Sequence, residues 1–231
     1  MEMTLHLKTS AKYLLTKLGQ HTSYDVVHSL DSVANYLTVG RWFKHHGLEV
    51  PIRVDDRYKL FDLVATQLQL MQVLYLEFGV WKGASMRYWS KILRNEHSLL
   101  HGFDSFEGLP EDWNYTTMKG YFSRSGEMPV IADTRVKFFK GWFEDTLPTY
   151  SFPPHERLFI NMDADLYSST KTVLKFLKDH IAYGTLIYFD EFSDRFHEMK
   201  AFDEFLRETG MRFKVIGADR QLSSVIFERV R

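Results

Sequence analysis

Six carboxylates stand where apolar runs end. Glu77 follows the run at 73–76, Asp104 that at 99–103, Asp163 and Asp165 that at 158–162, and Asp190 and Glu191 that at 186–189. If these runs are strands of one parallel sheet, their ends share an edge and the six groups converge on a single rim. So many carboxylates repel one another unless a cation or bound protons compensate. Oxygen ligands completed by water suit Mg²⁺, Mn²⁺ or Ca²⁺ rather than zinc. Helix capping is the simpler reading for some of them, and Asp165, just before Ser168, Ser169 and Thr170, could serve that purpose.

The stretch VLYLEFGVWKGAS at 73–85 adds a second feature to the first acid. Val73, Leu74, Tyr75 and Leu76 read as a strand buried on both faces. Gly79 and Gly83 bracket Val80, Trp81 and Lys82, and glycine tolerates positive φ and lets a ligand approach the backbone. A helix starts at Ala84, with Met86, Tyr88, Trp89, Ile92 and Leu93 in helical spacing and Ser85 near its first turn. Strand, glycine loop and helix N-terminus together can bind the anionic or carboxylate part of a nucleotide-like cofactor. The spacing is GxxxG rather than GxGxxG, so an ordinary tight turn reads the same way. Asp104, at a second strand end, adds a group able to bind ribose hydroxyls.

Alternating strands and helices must position these groups. Strands are expected at 73–78, 99–104, 136–140, 157–163, 185–190, 213–217 and 223–229, with helices at 84–95, 169–180 and 196–209. The connection at 217–221 is too short for a crossover, so the last two strands are antiparallel. The expected fold is α/β: a Rossmann-like, mostly parallel seven-stranded sheet with a reversed C-terminal strand and helices on both faces. Upstream, helical stripes run through Leu7, Ala11, Leu14, Leu15 and Leu18, and through Val26, Val27, Leu30, Val33, Ala34 and Leu37. His45 and His46 are expected to face solvent, 51–56 to form a loop and 57–71 a third helix. Residues 1–70 are thus a helical arm or lid packed on a core of 71–231, within one domain. The long segment 106–134 carries Trp113, Tyr115, Tyr121 and Phe122 and reads as a lid.

Bulk composition excludes several classes. The 231 residues carry a net charge of −1 and no cysteine, which removes disulfides, thiolate metal sites and a cysteine nucleophile. Lysines and arginines are interleaved with acids, with no basic stripe for nucleic acid. No apolar stretch has the length of a membrane span or the form of a signal peptide, so a soluble, cytoplasmic protein is expected.

The chain resembles the class I S-adenosylmethionine-dependent methyltransferases, and among them the macrocin O-methyltransferase family. The matching words are LEFGVWKGAS at 76–85, GFDSFEGLPEDW at 102–113, KGWFEDTLP at 140–148, DADLYSST at 163–170 and FDEF at 189–192. The resemblance implies that Glu77, Gly79, Gly83 and Ser85 hold the methionine end of S-adenosylmethionine. It implies that Asp104 takes the ribose hydroxyls and that Phe106 lies near the adenosine. It further implies that Asp163, Asp190 and Glu191 bind Mg²⁺ (or Mn²⁺) and that Asp165 is the general base. Ala164 stands where the family usually has glycine, and Glu191 where it usually has aspartate. The implied acceptor is a sugar or polyol-type natural product with adjacent hydroxyls, and the implied assembly is a homo-oligomer formed through the N-terminal region.

Other readings predict different behaviour. DADLY also looks like the DxD metal site of a glycosyltransferase, which would not require Glu77, Gly79, Gly83 and Asp104. A non-catalytic, methyltransferase-like binding protein would not need Asp165.

Overall fold

The structure, a computed structural model, describes residues 2–230, with side chains from residue 9 onward. Eight strands form one sheet: β1 (Arg53–Val54), β2 (Val73–Phe78), β3 (Leu99–Asp104), β4 (Val136–Lys140), β5 (Arg157–Met162), β6 (Leu186–Phe189), β7 (Phe213–Asp219) and β8 (Val225–Arg229). Their order is β1-β7-β8-β6-β5-β2-β3-β4. All neighbours are parallel except β8, which runs antiparallel to both β6 and β7. The mostly parallel α/β sheet with its reversed C-terminal strand is therefore as expected, with eight strands instead of seven. The additional strand, β1, lies in the segment expected to be a loop. Pro51, Asp55 and Asp56 obscure it in the sequence, and two residues pairing with β7 at the sheet edge are too few to show a period.

The helices are α1 (Glu2–Gly19), α2 (Tyr24–His45), α3 (Arg57–Leu68), α4 (Ala84–Ile92), α5 (Phe143–Thr146), α6 (Tyr167–Leu177) and α7 (Glu198–Thr209). Side-chain alternation splits β2 between the faces of the sheet. Leu74, Leu76 and Phe78 pack with α6, α7 and the end of α2, whereas Val73 and Tyr75 pack with α3 and α4. Val39, Trp42 and Phe43 anchor α2 in the first of these cores. His46 is half-buried rather than solvent-facing, with Nε2 3.3 Å from Asp203, while His45 is exposed. Further out, Leu14, Leu15, Leu18, Val26, Val27, Leu30, Val33 and Leu37 lie exposed. Leu7 of the first stripe is outside the described side chains.

The four central strands, β6-β5-β2-β3, carry all six rim carboxylates at their carboxyl ends. Strand order reverses direction between β5 and β2, and in open α/β sheets such a switch leaves a crevice. Gly79 sets how tightly this crevice is built. Its φ is +89°, and a Cβ there would lie 1.7 Å from the carbonyl oxygen of Asp163. The loop after β2 thus lies against the end of β5, an approach closed to any other residue. Gly79→Ala is expected to cost about 3 kcal/mol or more, because backbone must move in addition to the φ penalty. Gly120→Ala, also at positive φ but with nothing within 4 Å of its Cβ, should cost only about 1 kcal/mol. Urea denaturation of both variants checks the difference, and equal losses would contradict the close approach.

Candidate active site

A cavity of about 660 Å³ opens on this edge. Its wall includes Glu77, Gly79, Ser85, Asp104, Asp163, Asp165, Asp190 and Glu191, which brings together eight of the ten residues singled out from the sequence. The other two stand behind the wall. Gly83, in the left-handed region, is the N-cap of α4. Phe106 is buried with its ring near Phe138 and shapes the site through its backbone.

Asp104 acts first as a clasp. Its Oδ2 accepts the N–H groups of Val80 and Trp81, each at 2.8 Å, and its Oδ1 accepts that of Phe106 at 2.7 Å. Two loops are thereby fixed, and Trp81 and Phe106 are held at φ +48° and +59°, unusual values for non-glycine residues. A carboxylate offers about four lone-pair sites, so one remains for a ligand hydroxyl. Next to it, α4 starts without a side-chain cap, while Ala84 and Ser85 of its first turn line the cavity. The helix therefore presents its positive end to the space.

A second device appears twice. On β2, the Tyr75 hydroxyl donates to Glu77 Oε2 at 2.7 Å, two residues along the same face. On β6, the Tyr188 hydroxyl donates to Asp190 Oδ1. Asn161 on β5 completes the row by donating to the Tyr75 hydroxyl at 2.8 Å. Polar side chains thus support the rim from within the core, where unpaired groups would be costly.

The acids remain under-compensated. Burial pushes Glu77 up to about 8, against the pull of the Tyr75 hydroxyl. Asp165 is pushed up to about 7 by burial and then by Glu191 and Asp190, and Glu191 to about 7 by burial and then by Asp190. Asp163 is raised by burial and by Asp190 and Asp165, with Arg57 offsetting part of this. Asp165 also sits at φ +58°. It does not cap α6, whose N-cap is Leu166 and whose start has no side-chain cap.

The sequence reading missed two charged groups. Arg57, in the first turn of α3, places Nη2 2.5 Å from Asp190 Oδ2 and Nη1 3.4 Å from Asp163 Oδ2. A cation in a first helical turn opposes the macrodipole, and this is the signal that could have drawn attention to it. Glu198 is fully buried; its Oε2 accepts the Glu191 N–H at 3.0 Å and its Oε1 has no partner. Burial, then Asp163 and Asp165, hold Glu198 well above the usual carboxylate range.

Segment 106–134 folds over the mouth. Leu109, Pro110, Glu111, Trp113 and Phe122 line the cavity. The segment is tied down by Ser168 Oγ to Glu111 at 2.6 Å and by Trp113 Nε1 to Asp194 at 3.3 Å. Tyr115 meets Tyr24 of α2 edge-on. Trp142, Phe143 and Glu144 close the remaining side.

A mostly parallel sheet with a glycine loop and an acid at its switch point defines a Rossmann-like protein. The sequence model of the macrocin O-methyltransferase (TylF) family matches residues 72–227. The chain belongs to this family. It is 30% identical to mycinamicin III 3''-O-methyltransferase of Micromonospora griseorubida, over 62% of this chain and 54% of that protein. It is 28% identical to demethyldecarbamoylnovobiocin O-methyltransferase of Streptomyces niveus, over 68% and 66%. The chain thus spans about half the length of the first relative and 66% of the second. Among solved structures, the O-methyltransferase NovP is similar with a TM-score of 0.56 at 26% identity, over 76% of this chain and 78% of that one. The calicheamicin methyltransferase CalS11 shares the fold with a TM-score of 0.58 at 18% identity, over 85% and 91%.

The raised carboxylates fix the sign of a pH dependence. Glu77, Asp165 and Glu191 titrate near 8, 7 and 7 in the folded protein, against ordinary values of 4.5, 3.8 and 4.5. Across that interval the folded protein binds more protons than the unfolded chain, so stability falls as pH rises from about 5 to 8. Thermal melts of the ligand-free protein should show the midpoint dropping over this range, with a shallower drop in Asp165→Asn. A midpoint that climbs instead would refute the crowding of these acids.

Proposed function

We propose that this chain transfers a methyl group from S-adenosylmethionine to a hydroxyl of a sugar or polyol-type natural product, with Mg²⁺ or Mn²⁺ as a second cofactor. The observation that supports the reading is one cavity lined both by Glu77, Gly79, Ser85 and Asp104 and by Asp163, Asp165, Asp190 and Glu191. Glu77 suits the cationic amino group of the methionine end, because a buried carboxylate gains most from an ammonium partner. The uncapped start of α4 suits the carboxylate of the same moiety. Asp104 keeps one lone-pair site for a ribose hydroxyl.

Methyl transfer to an alcohol requires removal of its proton as the oxygen attacks the methyl carbon and the carbon–sulfur bond breaks. Asp165 suits this role, because a carboxylate near pKa 7 is a stronger base than an ordinary one and is still about half ionised at neutral pH. Its backbone conformation is strained, as often occurs where a side chain must be aimed. Asp163, Asp190 and Glu191 supply the hard oxygen donors that a divalent cation prefers. When bound, such a cation would lower the pKa of a coordinated hydroxyl and fix its position. Among the described residues no three His, Asp or Glu side chains close around a common point. The donors fit a cation by chemistry, and Arg57 stands in its place.

The acceptor class is supported by the names of relatives. One of these, from Streptomyces olivaceus, is named as the 4'-O-methyltransferase of a dimethoxy-rhamnosyl tetracenomycin; it is 29% identical over 51% of this chain and 52% of that protein. Among the described residues no helix is long and apolar enough to cross a membrane.

The N-terminal helices suit a second copy of this chain. Leu7, Ala11, Leu14 and Leu18 repeat the 4-3-4 spacing of Val26, Leu30, Val33 and Leu37, the pattern of a coiled-coil seam. Leu14, Leu18, Leu30 and Leu37 are each more than 60% exposed. Helices in proteins draw most of their stability from packing an apolar face. Light scattering after gel filtration should give a dimer for the wild type and a monomer for Leu30→Glu/Val33→Glu, and a monomeric wild type would refute this assembly.

Calorimetric titration with S-adenosylhomocysteine tests the cofactor, and absence of binding would overturn the methyltransferase reading. Asp165→Asn should bind the same ligand normally while losing roughly a hundredfold or more in methyl transfer. Retained turnover would remove Asp165 as the base.

A further inference from the structure

We propose that Arg57 is a built-in counter-ion that competes with the divalent cation for Asp163 and Asp190, so that guanidinium and metal occupy the site in turn. The inference rests on the metal reading above and goes beyond it by assigning a residue outside the implied ligand set.

The guanidinium spans two neighbouring strands. It places Nη2 2.5 Å from Asp190 Oδ2 and Nη1 3.4 Å from Asp163 Oδ2, which are oxygens that a cation held by this pair would use. Asp190 has no second face to offer, because its Oδ1 already accepts the Tyr188 hydroxyl and, at 3.3 Å, that of Ser224. A magnesium ion lies about 2.0–2.1 Å from its oxygens. A cation on the remaining lone pair of Oδ2 would stand only ~4 Å from the Arg57 nitrogen, like charge against like charge. The two occupants therefore compete for the same pair of carboxylates.

Three observations make this an exchange rather than a fixed structural pair. The Arg57 side chain retains 35% of its exposure, against 9% for Asp190, so it has an open path toward the cavity and solvent. It belongs to the first turn of a helix already capped by Asp56, which accepts the N–H groups of Tyr58 and Lys59 at 2.9 and 3.0 Å. The start of α3 therefore does not depend on where Arg57 points. Finally, one guanidinium serves Asp163, Asp165, Asp190 and Glu191, which line the same cavity, and it touches only Asp163 and Asp190, so a doubly charged ion has something to gain by replacing it. The exchange would keep the carboxylates apart and ordered without metal, at the expense of affinity for the free ion.

Binding of Mn²⁺ alone, read from the loss of the free-ion signal in electron paramagnetic resonance, tests this on the whole chain. Arg57→Met should bind Mn²⁺ about tenfold or more tightly than the wild type, because a charge-assisted pair no longer has to be broken. Arg57→Lys, which keeps the charge but lacks the planar fork, should fall between them. Without metal, Arg57→Met should melt below the wild type, and Mn²⁺ should raise its melting temperature more than that of the wild type. Asp190→Asn should abolish binding in either background. Equal or weaker binding by Arg57→Met would overturn the inference and leave the metal reading intact. No binding by either protein would overturn both, while S-adenosylhomocysteine titration would still report separately on the methyltransferase reading.

Discussion

Repulsion among carboxylates at one edge of the sheet is the constraint to which the rest of the molecule answers. Four adjacent strands end in acids, and the ordinary relief of full hydration is unavailable because the edge is roofed by 106–134 and walled by 141–144. The compensations come from different parts of the chain. Tyr75 and Tyr188 donate from inside the core, Asn161 links to the row between them, and α3 delivers Arg57. For Arg57, burial alone would favour the neutral form, but Asp190, Tyr188 and Asp163 outweigh it and raise its pKa. One monovalent group facing four acids leaves a residual charge imbalance, and burial, with this remaining repulsion added to it, raises the pKa of Asp163, Asp165 and Glu191.

Relief of that imbalance also shapes the backbone. Gly79 lets the end of β2 lie against the carbonyl of Asp163, and Asp104 ties down the residues after it. Trp81, Phe106 and Asp165 all stand at positive φ within the loops that form the cavity. Such residues cost free energy in a fold and persist where the surroundings over-determine them. Here the determinant is visible for the first two: each donates its N–H to Asp104. The same carboxylate that could receive a ribose hydroxyl therefore also fixes the loops around it, so binding geometry and loop geometry cannot vary independently.

Much of this was legible in the sequence because apolar runs ending in acids are a local pattern. The parallel core strands, the reversed final strand, the glycine loop and the rim of carboxylates all follow from stretches of ten or so residues read in order. Arg57 was not legible because it is distant in sequence from both its partners and lies on a helix that shows only an ordinary apolar stripe. Glu198 was hidden for a related reason: an acid in the first turn of a helix is normally a favourable surface residue, and only the folded chain reveals that it is buried against the Glu191 backbone. β1 was missed because two residues carry no period. The apolar stripes of α1 and α2 do fall on helices, but spacing alone does not say what an apolar face meets, and the outer side chains of these stripes lie exposed.

Glu191 shows how a single methylene can matter in such a setting. Its backbone N–H is held by Glu198 and its carboxylate has no hydrogen bond among the described residues, whereas Asp190 beside it is fixed on both oxygens. The two adjacent acids are thus unequal: one is a rigid anchor on the strand axis, the other a longer and freer arm. A cation at this rim would be located by the anchor and by Asp163, with Glu191 adjusting to reach it. Were the proposed cation bound, that division would suit the longer side chain, with the two shorter carboxylates setting the geometry and Glu191 left to close the site.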